Sequence, residues 1–170
     1  MSPDTPGDAP DDTSEDHVTP ARLRGFTEGL RSDALDAPEV VKRVWSGLRL
    51  AHLLGLRLAA ADPAWRQRRV NAESVEHQLA RDLGTSATFA DTALALPGAT
   101  TSRPLASDDV DDAVAALVEF SGTARQRMLA AAPRASQWHD ERVLRHDSLV
   151  VAQLGAAWLG QRGSYRVESR

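Results

Sequence analysis

An all-α fold, an antiparallel helical bundle, is what this sequence predicts, and three observations carry the prediction. Apolar residues recur at alternating steps of three and four, as in Val41, Val44, Leu48, Ala51, Gly55 and Leu58. Helix-start chemistry stands between such stretches: Thr19-Pro20, Asp36 with Glu39 three residues on, and Asp62-Pro63. The stretch from Ser136 to Gly160 reads as one long helix whose second half is apolar nearly all round, and so as the element at the middle of the core.

The elements follow in order. Residues 1–18 are mostly Pro, Asp, Ser, Thr and Gly, too polar to offset their conformational entropy, and are expected to be a disordered acidic tail. Residues 19–161 then form a single domain of roughly five to six helices. The first opens at Thr19 and shows the stripe Leu23, Phe26, Leu30. The second runs 36–61, with His52 at the border of its apolar face and Lys42, Arg43, Ser46, Arg49 and Arg57 opposite. A third carries Ala72, Val75, Leu79 and Leu83, with a break expected near Asn71 and a stop at Gly84. Ser86 starts a short helix reaching Leu96, and 97–106 is a loop. A long helix over 107–131 places Val110, Val114, Leu117, Ser121, Ala124 and Met128 on one seam, with a weak point at Ser121-Gly122. Pro133 separates it from the 136–160 helix, and residues 162–170 are expected to fray.

Composition narrows the function classes. The 170 residues are enough to bury a core without disulfides, and the absence of cysteine removes thiol nucleophiles, Fe–S clusters and Cys-bound zinc. It also fits a reducing cytoplasm, the expected location. No basic-then-apolar leader opens the chain and no apolar run is long enough for a membrane span. Residues 1–20 hold six acids and no Lys or Arg, so a net charge of −4 leaves the rest of the chain at +2. A body so near neutrality does not advertise a nucleic-acid footprint. Basic residues are nearly all Arg, a skew expected of a GC-rich, bacterial coding sequence.

Chemistry concentrates on the 136–160 helix, which carries two His-Asp pairs, His139-Asp140 and His146-Asp147. At about 100° per residue, His139, Val143, His146, Val150, Leu154 and Ala157 share one arc, which predicts both rings turned inward with the carboxylates flanking. Seven residues is about 10.5 Å along a helix, too far for the two rings to chelate one ion unaided, so no metal ligand set is assigned. A shared site needs another helix, and His52 is the candidate.

Four further strings weigh less. The His-Asp pairs are similar to those of HD-domain phosphohydrolases, but no later Asp closes that family's metal set. The stretch Gln78–Leu94 resembles a helix-turn-helix, with Ala80 and Gly84 at the small-residue and turn positions and Leu79 and Leu83 packing. That resemblance implies duplex binding, with backbone contacts from Arg66, Arg68 and Arg69, yet the reading face of Ala87, Thr88, Asp91 and Thr92 holds no base. Asp108-Asp109-Val110-Asp111-Asp112 matches the aspartate string of prenyl-diphosphate enzymes without the second acidic motif, and a helix dipole accounts for it. Asp147-Ser148-Leu149 matches the acyl-carrier tripeptide with too little chain after it.

The leading expectation is a non-catalytic recognition or accessory protein. It binds a partner protein or small apolar ligand at a notch lined by His139, His146, Trp138 and Trp158, with His52 nearby. The alternative is a small enzyme using His139, His146, Asp140 and Asp147 in acid–base or metal-assisted work. A helix-turn-helix regulator is the third reading. A homodimer is compatible with each, and no motif names a cofactor.

Overall fold

The computed structural model describes residues 18–97 and 103–161, which form five α-helices and no strand. They are α1 (Pro20–Leu30), α2 (Ala37–Ala61), α3 (Arg66–Leu83), α4 (Val110–Ala131) and α5 (Trp138–Trp158). The acidic segment 1–17, residues 98–102 of the loop and the end at 162–170 lie outside the described residues. Val18, assigned above to the tail, belongs to the core at 3% exposure, and its carbonyl accepts a 2.7 Å hydrogen bond from Arg57.

The caps form as the residue types dictate. Thr19 Oγ1 accepts from the Arg22 amide at 3.2 Å with Pro20 in the first turn, where a missing N–H costs nothing. Asp36 Oδ1 accepts from the Glu39 amide at 2.8 Å, while the Glu39 carboxylate turns to Lys42 rather than back to the cap. Asp62 accepts from the Ala64 amide and opens a short 3₁₀ turn, Pro63–Trp65, that feeds α3. α3 continues through Asn71 and α4 through Ser121-Gly122, where the sequence suggested breaks. Ser121 satisfies its hydroxyl inside the helix, donating to the Leu117 carbonyl at 2.9 Å. The expected short helix after Ser86 is only the 3₁₀ turn Ala87–Phe89, and 92–97 is irregular.

α4 packs against α1, α2 and α5; α2 packs against α1, α3 and α4; α5 lies on α3 and α4. The apolar half of α5 sits in the core as its composition suggests, with Val150, Val151, Leu154, Ala157 and Trp158 buried, while Arg142, Arg145, His146 and Leu149 face outward.

Glycines set two of the crossings. A Cβ on Gly47 would stand 2.3 Å from the Phe120 ring, and one on Gly55 would stand 2.6 Å from Trp158. Only a residue without a side chain lets α2 approach α4 and α5 so closely. All six seam residues of α2 are buried, as the spacing requires. On the outside, Arg24 grips both carboxylate oxygens of Asp112 at 2.7 Å and Arg31 meets Glu119 at 2.6 Å, pinning α1 to α4. Among the described residues, no helix is long and apolar enough to cross a membrane.

Candidate functional site between the third and fifth helices

The inward arc of α5 is Asp140, Leu144, Asp147, Val151, Leu154 and Trp158, all between 0% and 7% exposed. Val143, Val150, Leu154 and Ala157 of the arc expected from the sequence are buried too, so the buried face is broader than that arc and is centred nearer the aspartates. That shift exchanges the roles of each His-Asp pair. His139 and His146 are exposed at the edge of the helix face, and the carboxylates point in.

The two buried aspartates then differ. Asp140 Oδ1 accepts from Ser86 Oγ at 2.9 Å and from the Ala87 amide at 3.1 Å, so it closes the start of the 3₁₀ turn after α3. Its role is accounted for by the fold. Asp147 is fully buried, and among the described residues neither of its carboxylate oxygens has a hydrogen-bond partner. A carboxylate so placed is expensive to ionise: burial first, and the charge of Asp82 second, push its pKa up to about 8.

Asp147 forms part of the wall of a groove of about 640 Å³ between the end of α3 and the first half of α5. Asp82, His146 and Asp147 meet at one corner, each offering a donor atom within 4.8 Å of the others. His146 Nε2 lies 3.7 Å from Asp82 Oδ2, and Arg81 Nε lies 3.4 Å from Asp82 Oδ1. Along the groove, His139 Nε2 reaches Thr85 Oγ1 at 3.1 Å, and Thr85 Oγ1 itself donates to the Asp82 carbonyl at 2.6 Å. Arg142 and Arg145 supply positive charge, Val143 and Leu149 an apolar wall.

No family model, curated protein or solved structure matches this chain. Its function has to be read from this groove and its surroundings.

The other residues singled out above lie elsewhere. Trp138 is 69% exposed, its ring stacked under the Arg142 guanidinium at 4.8 Å, so it stands beside the groove. Trp158 is buried against Gly55, five turns along the helix from Trp138, and does not line the groove. His52 joins a separate buried cluster: Nδ1 lies 2.7 Å from Glu76 Oε2 and Nε2 lies 3.1 Å from the Pro97 carbonyl. Arg69 stands over it, with Nη2 at 3.3 Å from His52 Nδ1 and Nη1 at 3.7 Å from Glu76 Oε2. His52 therefore closes a polar core and completes no site with His139 or His146. The helix-turn-helix reading loses its second helix, because the segment that would enter a DNA groove is a single 3₁₀ turn.

Sequence reasoning missed the roles of Arg69, read above only as a backbone contact to DNA, of Glu76 and of Asp82. The first two had a signal: Arg69, Glu76 and Leu83 repeat every seven residues, so opposite charges occupy the packed seam of α3. Asp82 had none, since only the tertiary contact of α3 with α5 brings it to His146.

Proposed function

We propose that the protein recognises a small ligand in the α3–α5 groove, with the ligand's polar end at the Asp82–His146–Asp147 corner and its apolar body along Val143 and Leu149. The observation that carries this reading is Asp147, a buried carboxylate on the groove wall with no hydrogen-bond partner among the described residues. An unpartnered buried polar group costs about 1–3 kcal/mol, more when charged, and a ligand that meets it recovers that cost. Size agrees: small-molecule sites span about 300–1,000 Å³, and this groove is about 640 Å³. Grooves of comparable size by α1 and α2 and beside the 92–96 segment have no such buried orphan among their lining residues.

Benzylamine, benzyl alcohol and benzoate, added in turn to the metal-stripped, ¹⁵N-labelled chain, test the reading. The amine and the alcohol are expected to move the amide resonances of Asp82, Thr85 and residues 139–149, and to lose that effect in Asp147→Asn. Amides in the groove that stay still with all three compounds sink it.

One observation favours a second, enzymatic reading. An acid with a pKa near 8 beside His146 holds a transferable proton at neutral pH, as general acid–base work requires. Turnover of p-nitrophenyl esters above the Asp147→Asn background supports it, and equal rates in the two proteins exclude it for that reaction.

A further inference from the structure

We propose that the Asp82–His146–Asp147 corner binds a divalent first-row transition-metal ion, zinc foremost, with its open coordination position facing the groove. The inference rests on the recognition reading of that groove and names what its polar corner takes. Two carboxylates and the lone pair of a neutral imidazole are all electron-pair donors converging on one point. An imidazole nitrogen beside carboxylate oxygens is the ligand set of zinc and its first-row neighbours, whereas calcium and magnesium take six or more oxygens.

The distances suit the smaller ion. Zinc bonds of about 2.0–2.2 Å in a tetrahedron place neighbouring donors about 3.4 Å apart. His146 Nε2 and Asp82 Oδ2 already stand 3.7 Å apart, and the set as a whole lies within 4.8 Å. The remaining closure falls on His146 and Asp82, whose side chains are 59% and 24% exposed, beside the buried Asp147.

A cluster of acids alone says little. The independent observation is the orphaned Asp147 carboxylate, fully buried, on the wall of the groove. A cation there gives one of its oxygens a partner that no described residue supplies. Arg81 lies at the other oxygen of Asp82, Oδ1, which leaves Oδ2 turned to His146. Three protein donors and one open position is the arrangement that lets a bound ion meet a further ligand.

The test uses the full chain, stripped of metal and titrated with Zn²⁺ against a chromophoric chelator, then with Co²⁺ under visible absorption. One ion per chain is expected, with a cobalt spectrum of four- or five-coordinate intensity. Affinity should fall by at least about tenfold in His146→Ala and in Asp147→Asn, since even outer partners of a metal ligand cost that much. His77→Ala, on an exposed histidine outside the groove, should bind as the parent does. Because the His146 side chain is largely exposed, its variant keeps the test valid if Asp147→Asn fails to fold. Absence of saturable uptake, or uptake unchanged in His146→Ala, overturns the inference. A chain that takes up no zinc but still shows groove shifts with benzylamine leaves the recognition reading standing. Zinc uptake without those shifts does the reverse.

Discussion

His52 and Glu76 meet at 2.7 Å inside the core, at 2% and 0% exposure, and hold the irregular segment after α3 through the Pro97 carbonyl. Both ring nitrogens of His52 have a partner and Arg69 shares the cluster, so the three side chains stand or fall as a unit. Removing Glu76 leaves His52 Nδ1 facing the Arg69 guanidinium alone in low dielectric, while Arg69 keeps Glu73 at 3.4 Å and His52 keeps the Pro97 carbonyl. Glu76→Ala is therefore expected to cost about 3–5 kcal/mol, read as a lower urea midpoint. A cost below about 1 kcal/mol is what an exposed pair gives and contradicts this picture.

Asp147 gives stability a pH dependence of defined sign. In the folded chain it holds its proton up to about pH 8, while unfolded it releases it near the ordinary value of 3.8. Folding thus takes up a proton between those limits, and the native state loses stability as pH rises from about 4 to about 8. The groups around it are Asp82, whose charge adds to the shift, with His139, His146, Arg142 and Arg145 along the same groove. Asp147→Asn cannot ionise. With a chelator present its stability relative to the parent should grow from pH 5 to pH 8, and denaturation series at four or five pH values check this. A difference that stays constant with pH refutes it.

Two glycines should respond to alanine with opposite sign. At Gly47 the new methyl meets the buried Phe120 ring at 2.3 Å, and overpacking of that kind costs about 1–3 kcal/mol against a helix-propensity gain of about 1. At Gly122 nothing lies within 4 Å, so the propensity gain of about 1 kcal/mol stands alone. Thermal melts should therefore show Gly47→Ala below the parent and Gly122→Ala above it.

The first His-Asp pair separates a buried structural residue from an exposed one whose ring meets, among the described residues, only the Thr85 hydroxyl. Asp140→Ala strands Ser86 Oγ and the Ala87 amide and should cost about 1–3 kcal/mol, with faster hydrogen exchange at Ala87–Phe89. His139→Ala removes an exposed ring and should stay within about 0.5 kcal/mol of the parent. Equal effects in a side-by-side denaturation experiment would mean that the inward arc of α5 is misplaced.

These residues also show how far the sequence could be read. Local chemistry gave the helices: Thr19 and Asp36 cap where their side chains demand it, and the α2 seam is buried residue for residue. The orientation of α5 was a different matter. Val143 and Val150 are buried along with Leu144 and Val151, so the apolar stripe is broad, and a single-residue rotation decides whether His or Asp faces in. Hydropathy placed the histidines on the inward arc and the carboxylates at its flank. Asp140 goes in because a loop more than fifty residues earlier supplies its donors, and Asp147 goes in with no hydrogen-bond partner among the described residues. Neither fact is written in the helix itself. The polar core fared likewise: His52 looked like a border residue because Glu76 and Arg69, which satisfy it, belong to another helix.

Trp158 seated on Gly55 has a consequence for how the chain is made. The last turn of α5 reaches back to the C-terminal third of α2, and the rest of α5 covers α3 and α4. On the ribosome, the first four helices emerge with that face bare and a Trp-sized hollow beside Gly55. The packing of these five helices is complete only when residue 158 has cleared the exit tunnel, so α5 is the last of them to join the core. A nascent chain paused before that point presents an apolar surface, the kind of face that chaperones hold.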